Sequence, residues 1–172
     1  MQPKSSDYVL WLLPDQQSKR KISACIESLS RRFSTPVFDP HITLAKVPVR
    51  PISELEKLVD LLSERFSSFP VLLDLPHCGE PPFQMFSAAI KNPDKIIDIS
   101  NSFDNLCDGS FGKKRALHLS YLYGSIHCNE LLKFMESEGE NYVQLLYIQK
   151  MALVDVSGDV SSWKIVHEAE LK

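Results

Sequence analysis

A chain of 172 residues, 44% hydrophobic and 24% charged, is long enough to bury a substantial core in one compact domain. Its formal charge of −3 and pI near 5.9 argue against a protein that grips long nucleic acid through its phosphates, which needs a basic face. A small anionic ligand held by local contacts fits better.

Tyr8 to Leu13 reads as a strand closed by Pro14-Asp15. Its apolar run is too short for a signal-peptide core or a membrane span, so a cytoplasmic or nuclear protein is expected, while peripheral attachment to an internal membrane such as the Golgi would leave no mark in the sequence. Ile22, Cys25, Ile26, Leu29 and Phe33 then recur at helical spacing, with Lys19, Arg20, Lys21, Glu27 and Arg31 on the other face, as in a helix lying over a sheet. Thr35-Pro36 breaks that helix, and Asp39-Pro40 forces an extended approach to a strand beginning at His41, where a proline is tolerated. Lys46 falls on the face opposite His41 and is read as solvated. Ser53 and Glu56 form a capping-box pattern ahead of a helix marked by Leu55, Leu58, Val59, Leu62 and Phe66, which Phe69-Pro70 ends.

Val71 to Leu75 is the third strand, Gly79-Glu80-Pro81-Pro82 a loop, and Phe83 to Lys91 the fourth strand. Asn92-Pro93-Asp94 starts a helix with Ile96, Ile99, Phe103 and Leu106 on one face. Cys107 to Arg115 is a Gly-containing loop whose Lys113-Lys114-Arg115 run reads as solvated rather than as a guide for anions, and it leads into a strand at His118. After Tyr123-Gly124, Asn129 is expected to cap a short helix carrying Leu131, Leu132 and Met135 and ending near Gly139. Tyr142 to Val156 is one long bent strand or two, and Trp163 to Leu171 the last. His167 lies in it with Ala169 two residues on and is read as structural.

The four cysteines, Cys25, Cys78, Cys107 and Cys128, show no C-x-x-C spacing and are expected as free thiols. His77-Cys78 and His127-Cys128 lack any partner at zinc-ligand spacing, so no metal site is expected.

Two tetrapeptides stand out: His41-Ile42-Thr43-Leu44 and His118-Leu119-Ser120-Tyr121. On a strand, residues i and i+2 share a face about 6.6–6.8 Å apart, so each histidine points the same way as its hydroxyl while the apolar pair points to the other side. A single histidine on a strand is more often structural than catalytic; two copies of one pattern carry more. Imidazole ionises near pH 6.5, so one ring can take a proton from water while the other gives one to a leaving oxygen. Hydroxyls and main-chain N–H groups then hold the non-bridging oxygens of a phosphodiester. The motif histidines are 118 − 41 = 77 residues apart, and the same offset carries Tyr8 to Met85. The order of elements repeats likewise. This suggests one domain over 1–172 built as an internal duplication, roughly 7–78 and 82–156, with the two histidine strands lining a cleft between the halves.

At these residues the chain resembles the 2H phosphoesterase superfamily, and within it the cyclic phosphodiesterase family of fungi and plants. The likeness runs from Tyr8-Val9-Leu10-Trp11-Leu12-Leu13-Pro14-Asp15 through Pro40-His41-Ile42-Thr43-Leu44 and Phe83-Gln84 to His118-Leu119-Ser120-Tyr121-Leu122-Tyr123. It implies an α+β fold of two pseudo-symmetric lobes of antiparallel sheet with outer helices and the site between them. It also implies metal-independent, cofactor-free hydrolysis by a monomer of small nucleotide cyclic phosphates made during tRNA splicing: nucleoside 2′,3′-cyclic phosphate and ADP-ribose 1″,2″-cyclic phosphate. His41 and His118 would be catalytic, and Thr43 and Ser120 would bind phosphate. Trp11, which propensity alone assigns to the core, would line the base cleft. Phe83 and Tyr123 stand at aromatic cleft positions. Strict alternation puts Tyr123 on the face opposite His118, so it reaches the cleft, to bond a phosphate oxygen, only if the strand bulges or ends at Gly124. The rival readings are a 2′-5′ RNA ligase-like or RNA 3′-end-processing enzyme of the same superfamily, and a nucleotide-binding module without turnover.

Overall fold

The computed structural model describes residues 5–112, 116–138 and 142–172. The basic run 113–115 and the expected helix end at Gly139 lie outside them. Among the described residues the elements follow as β1 (Ser5–Pro14), α1 (Gln16–Phe33), β2 (Ile42–Pro48), α2 (Ile52–Ser63), β3 (Phe69–Leu72), β4 (His77–Cys78), β5 (Phe86–Ala89), α3 (Asp94–Cys107), β6 (His118–Leu122), α4 (Cys128–Glu138), β7 (Leu145–Asp155), a 3-10 turn at Val160–Ser162, and β8 (Lys164–Glu170). The strands form one antiparallel sheet in the order β3-β7-β1-β2-β6-β5-β4, with β8 added beside β7. The sheet curls on itself. The chain that leaves β3 beside β7 crosses to β5, where Asp74 N–H donates to the Ala89 carbonyl (2.9 Å) and Lys91 N–H to the Leu72 carbonyl (2.8 Å). The expected two lobes are therefore two halves of one curled sheet, joined where β2 meets β6.

Period-2 alternation divides the sheet's faces. Leu10, Leu12, Ile42, Leu44, Leu119 and Tyr121 point outward and are fully buried with Ile22, Ile26 and Leu29 of α1, Leu55, Val59 and Leu62 of α2, and Ile96, Ile99 and Phe103 of α3. Full burial is worth about 1.5–3 kcal/mol for each such aliphatic side chain, so this layer fixes the register of the central strands. The inner face carries a smaller apolar cluster, Val9, Trp11, Leu13, Ala152 and Val154, with Trp163 and Ile165 against it. No helix among the described residues is long and apolar enough to cross a membrane.

Several boundaries differ from expectation. Helix α2 starts at Ile52 with Pro51 as its N-cap, so Ser53 already lies in the first turn and caps nothing. Helix α4 starts at Cys128 and takes Asn129 into its first turn. Residues 81–85 form a turn and not the start of a strand, which places Phe83 in a loop and shortens β5 to four residues. Phe69-Pro70 begins β3 instead of merely ending α2. The expectation of four free thiols fails: Cys78 and Cys128 form a disulfide, whereas Cys25 and Cys107 are not disulfide-bonded. With the two cysteines 50 positions apart, nothing in the sequence shows that β4 and α4 meet.

Candidate active site

The two motifs meet where β2 and β6 pair. Ile42 stands opposite Leu119 in an antiparallel ladder. Carried one residue either way, that register sets His41 across from Ser120 and Thr43 across from His118, all four on the inner face. Each histidine thus faces the other motif's hydroxyl, and the two histidines lie on a diagonal, where Cα atoms are about 7–8 Å apart. That spacing suits two rings acting on opposite sides of one phosphorus. Neighbouring strands extend the floor: Trp11 pairs with Thr43, Ser87 with Ser120, and Ala89 with His118.

Both rings are oriented the same way. His41 Nδ1 meets the Asp39 carbonyl at 2.6 Å, and His118 Nδ1 meets the Ala116 carbonyl. In each motif the carbonyl belongs to the residue two before the histidine. Pro40 holds that turn open in the first copy; in the second Ala116 adopts a left-handed φ of 53°, a conformation costly for a residue with a Cβ. Fixing Nδ1–H on the main chain leaves Nε2 of each ring to exchange protons.

The environments of the rings differ. His41 is 6% exposed, lies flat on Trp11 at a centroid distance of 3.6 Å with 8° between planes, and has Phe38 edge-on at 6.2 Å. Its Nε2 is 3.2 Å from the Tyr123 hydroxyl. His118 is half-buried. Thr43 is half-buried, whereas Ser120 is buried and donates its hydroxyl to the Phe83 carbonyl at 2.8 Å. To bind a phosphate oxygen through that proton, Ser120 must release the carbonyl.

Tyr123 reaches the site because β6 stops at Leu122. Beyond it the chain turns through Gly124, whose φ of 128° suits a residue without a side chain and whose N–H donates to the Pro82 carbonyl at 2.7 Å. Tyr123 stacks on Phe38 at 3.7 Å. Burial pushes its phenol well above the ordinary value, only partly offset by a hydrogen bond with Ser120, so it acts as a neutral hydroxyl. Phe83, 49% exposed, stands edge-on to Tyr123 at 5.4 Å.

All seven residues singled out from the sequence, Trp11, His41, Thr43, Phe83, His118, Ser120 and Tyr123, therefore gather at one place. Two further aromatics there escape sequence reasoning. Phe38 stacks on Tyr123 but sits in an irregular stretch, where periodicity carries no information. Trp163 is, by pattern, only the first residue of a strand, yet its indole lies 5.7–6.0 Å from the rings of Phe83, Tyr123 and Trp11. Lys46 is exposed as expected, and His167 pairs with Asp60 (2.7 Å) outside the site. No group of three or more His, Cys, Asp or Glu arranged to hold a metal ion occurs among the described residues. A cavity of about 260 Å³ lies between α1 and the 3-10 turn, bounded by Trp11, Glu27, Phe38, Asp39, Val160 and Trp163. A larger one of about 730 Å³ lies away from it, between α1 and residues 142–147, where the Asp15 carboxylate is occupied in capping α1.

A scan of the sequence against protein-family models finds no match. Over 123 residues the chain is 24% identical to a cyclic phosphodiesterase of Arabidopsis thaliana, covering 72% of this chain and 68% of that protein. Its fold is shared with the protein TT0787 of Thermus thermophilus (TM-score 0.61, 14% identity, 95% of this chain and 97% of that one). It is shared also with Escherichia coli LigT, solved with 3′-AMP (TM-score 0.56, 14% identity, 97% and 99%). The chain thus shares the fold of these solved structures and is similar in sequence to a cyclic phosphodiesterase over about seven-tenths of its length.

Proposed function

We propose that the chain adds water to five-membered cyclic phosphates. Nucleoside 2′,3′-cyclic phosphates would give nucleoside 2′-phosphates, and ADP-ribose 1″,2″-cyclic phosphate would give ADP-ribose 1″-phosphate, disposing of by-products of tRNA splicing without a metal. The observation that carries this reading is the crossed register of β2 and β6, which sets two imidazoles diagonally and a hydroxyl opposite each. One ring removes a proton from the attacking water as its oxygen bonds to phosphorus. The other delivers a proton to the ribose oxygen as the P–O bond breaks. Each transfer is worth about 10² to 10⁴ in rate. Thr43 and Ser120 stabilise charge on the non-bridging oxygens.

The differing surroundings support a division of roles. Ser120 gives its proton to the Phe83 carbonyl, a group that only accepts. The Tyr123 hydroxyl beside Ser120 lies 3.2 Å from His41 Nε2, where it can hold that ring in place. The flat contact of His41 with Trp11 favours a cation there, and on that ground His41 is assigned as the acid. His118, the more exposed ring, is the base that water reaches.

The test is turnover of a nucleoside 2′,3′-cyclic phosphate, with ADP-ribose cyclic phosphate and a 2′-5′-linked oligonucleotide run beside it. Hydrolysis of the cyclic mononucleotide should persist in excess chelator and fall by at least about 10²-fold in His41→Ala and in His118→Ala. Binding without turnover would favour a non-catalytic module, and cleavage of the oligonucleotide alone would favour an RNA-processing role.

A further inference from the structure

Antiparallel β1 and β2 fall out of step once. Leu10 pairs with Ala45, and the next residue, Trp11, with Thr43, so Leu44 is one residue too many on β2, a β-bulge. Leu44 and Ala45 both turn into the core and are fully buried. The bulge reverses the alternation that follows it. Strict counting from His41 puts Lys46 on the opposite face, and that expectation fails. Lys46 stands across from Val9, which belongs with Trp11 to the inner-face cluster, and side chains that stand opposite each other share a face. Lys46 is therefore the exposed residue that follows Thr43 on the face of the two histidines.

Lys91 reaches the same end of the site from the other side. Ala89 pairs with His118, and Ile90 N–H donates to the Leu117 carbonyl at 3.4 Å, so the register of β5 and β6 continues past Ala89. Lys91, two residues on, shares the face of Ala89 and His118. Its Nζ meets Asp74 Oδ1 at 3.3 Å, with both side chains 55% exposed; the contact orients Lys91 and offsets part of its charge. No ion pair among the described residues engages Lys46. His118 is thus flanked on β2 and on the extension of β5 by a lysine, each a diagonal neighbour about 7–8 Å away between Cα atoms. The rings of Trp11, Phe38 and Tyr123 gather at the His41 end, and the two ammonium groups lie at the other. The chain carries a net charge of −3, so overall basicity does not account for two cations there.

We propose that Lys46 and Lys91 form a second anion subsite next to His118, which holds a phosphate or diphosphate esterified to the primary hydroxyl of the ribose whose cyclic phosphate is opened. This rests on the cyclic-phosphate reading above and narrows its substrate class. A nucleoside 2′,3′-cyclic phosphate with a bare 5′-hydroxyl leaves the subsite empty. A 5′-phosphorylated one, or ADP-ribose 1″,2″-cyclic phosphate with its diphosphate, fills it. The strands that carry the two lysines stand on either side of β6, about 10 Å apart, a gap that two long flexible stems close onto one anionic group. Lysine acts on phosphate as a mobile point charge, so the subsite selects for charge more than for shape.

The experiment measures kcat/KM for adenosine 2′,3′-cyclic phosphate and for its 5′-phosphorylated counterpart. The unmodified protein should prefer the 5′-phosphorylated substrate, and Lys46→Gln should shrink that preference about 3- to 20-fold, chiefly through KM. Lys91→Gln should shrink it less, because Asp74 already engages that ammonium, and Lys46→Arg should keep it. Raising the ionic strength to about 0.5 M should erode the preference more in the unmodified protein than in Lys46→Gln. The same drop on ADP-ribose 1″,2″-cyclic phosphate identifies a diphosphate as an occupant; a drop confined to the 5′-phosphorylated nucleotide restricts the subsite to a terminal phosphate. Equal losses on the two adenosine substrates in Lys46→Gln would overturn the inference, since the lysine would then act on the cyclic phosphate that both share. Turnover of both by the unmodified protein without preference would overturn it too, and leave the proposed function intact. Turnover of neither would sink the proposed function itself, and this inference with it.

Discussion

At the scale of single residues, the four motif positions are legible because a strand's period of two is strict. His41, Thr43, His118 and Ser120 must share a face once Ile42 and Leu119 enter the core, and Ile42 and Leu119 are fully buried. Trp11 follows the same rule, since it pairs with Thr43. Tyr123 breaks it, because its position depends on where β6 stops. Trp163 and Phe38 are illegible: each reaches the site from an irregular segment. The roles assigned to the two rings lead to a measurement. A phosphodiester with a nitrophenolate leaving group needs no proton on departure. His41→Ala should lose about 10²- to 10⁴-fold on a cyclic nucleotide but retain near wild-type rates on a nitrophenyl phosphodiester, while His118→Ala loses both. Equal loss by the two variants on the nitrophenyl substrate would reverse or cancel the assignment.

At the scale of elements, the apolar spacing locates α1, α2 and α3, but the caps go differently. The capping-box pattern at Ser53 and Glu56 is not used, because Pro51, at φ −54° and ψ 138°, already supplies the extended-to-helical turn one residue ahead of Ile52. Asp15, by pattern only the end of a strand, is the working cap of α1. Its carboxylate accepts from the N–H groups of Gln17 and Ser18, each at 3.0 Å, and from the Ser18 hydroxyl at 2.6 Å. It also accepts from Tyr147 N–H at 3.2 Å, tying β7 to the start of α1. Burial pushes the Asp15 carboxyl up, but these hydrogen bonds outweigh it and its pKa is lowered. A lowered folded-state value stabilises above the unfolded carboxylate pKa of about 3.9, and that contribution disappears as pH falls through the folded value. Asp15→Ala should therefore cost about 1 kcal/mol in urea melts at pH 7, with the gap from wild type closing below about pH 4. A gap independent of pH would mean that the carboxylate's charge is not what matters.

At the scale of the whole molecule, the disulfide is the feature that the sequence conceals. Cys78 and Cys128 are 50 residues apart, and the segment they close contains Phe83, His118, Ser120 and Tyr123. A loop of that length gives about 4 kcal/mol of stabilisation in the chain-entropy account. Reductant, or Cys78→Ser with Cys128→Ser, should lower the urea midpoint accordingly. The result to look for against this is an unmoved midpoint, which would place the restraint in the packing of α4 and β4.

The single ladder contact between Ile42 and Leu119 couples fidelity to oiliness. Were one strand to slide by one position, its imidazole and its hydroxyl would be thrust among leucines, and its two large greasy side chains would be turned out of the interior. Misalignment of the reacting groups is thus punished by the interior, with no polar scaffold needed to police it. Replacing a histidine should leave the architecture standing, so that what such a variant loses is chemistry.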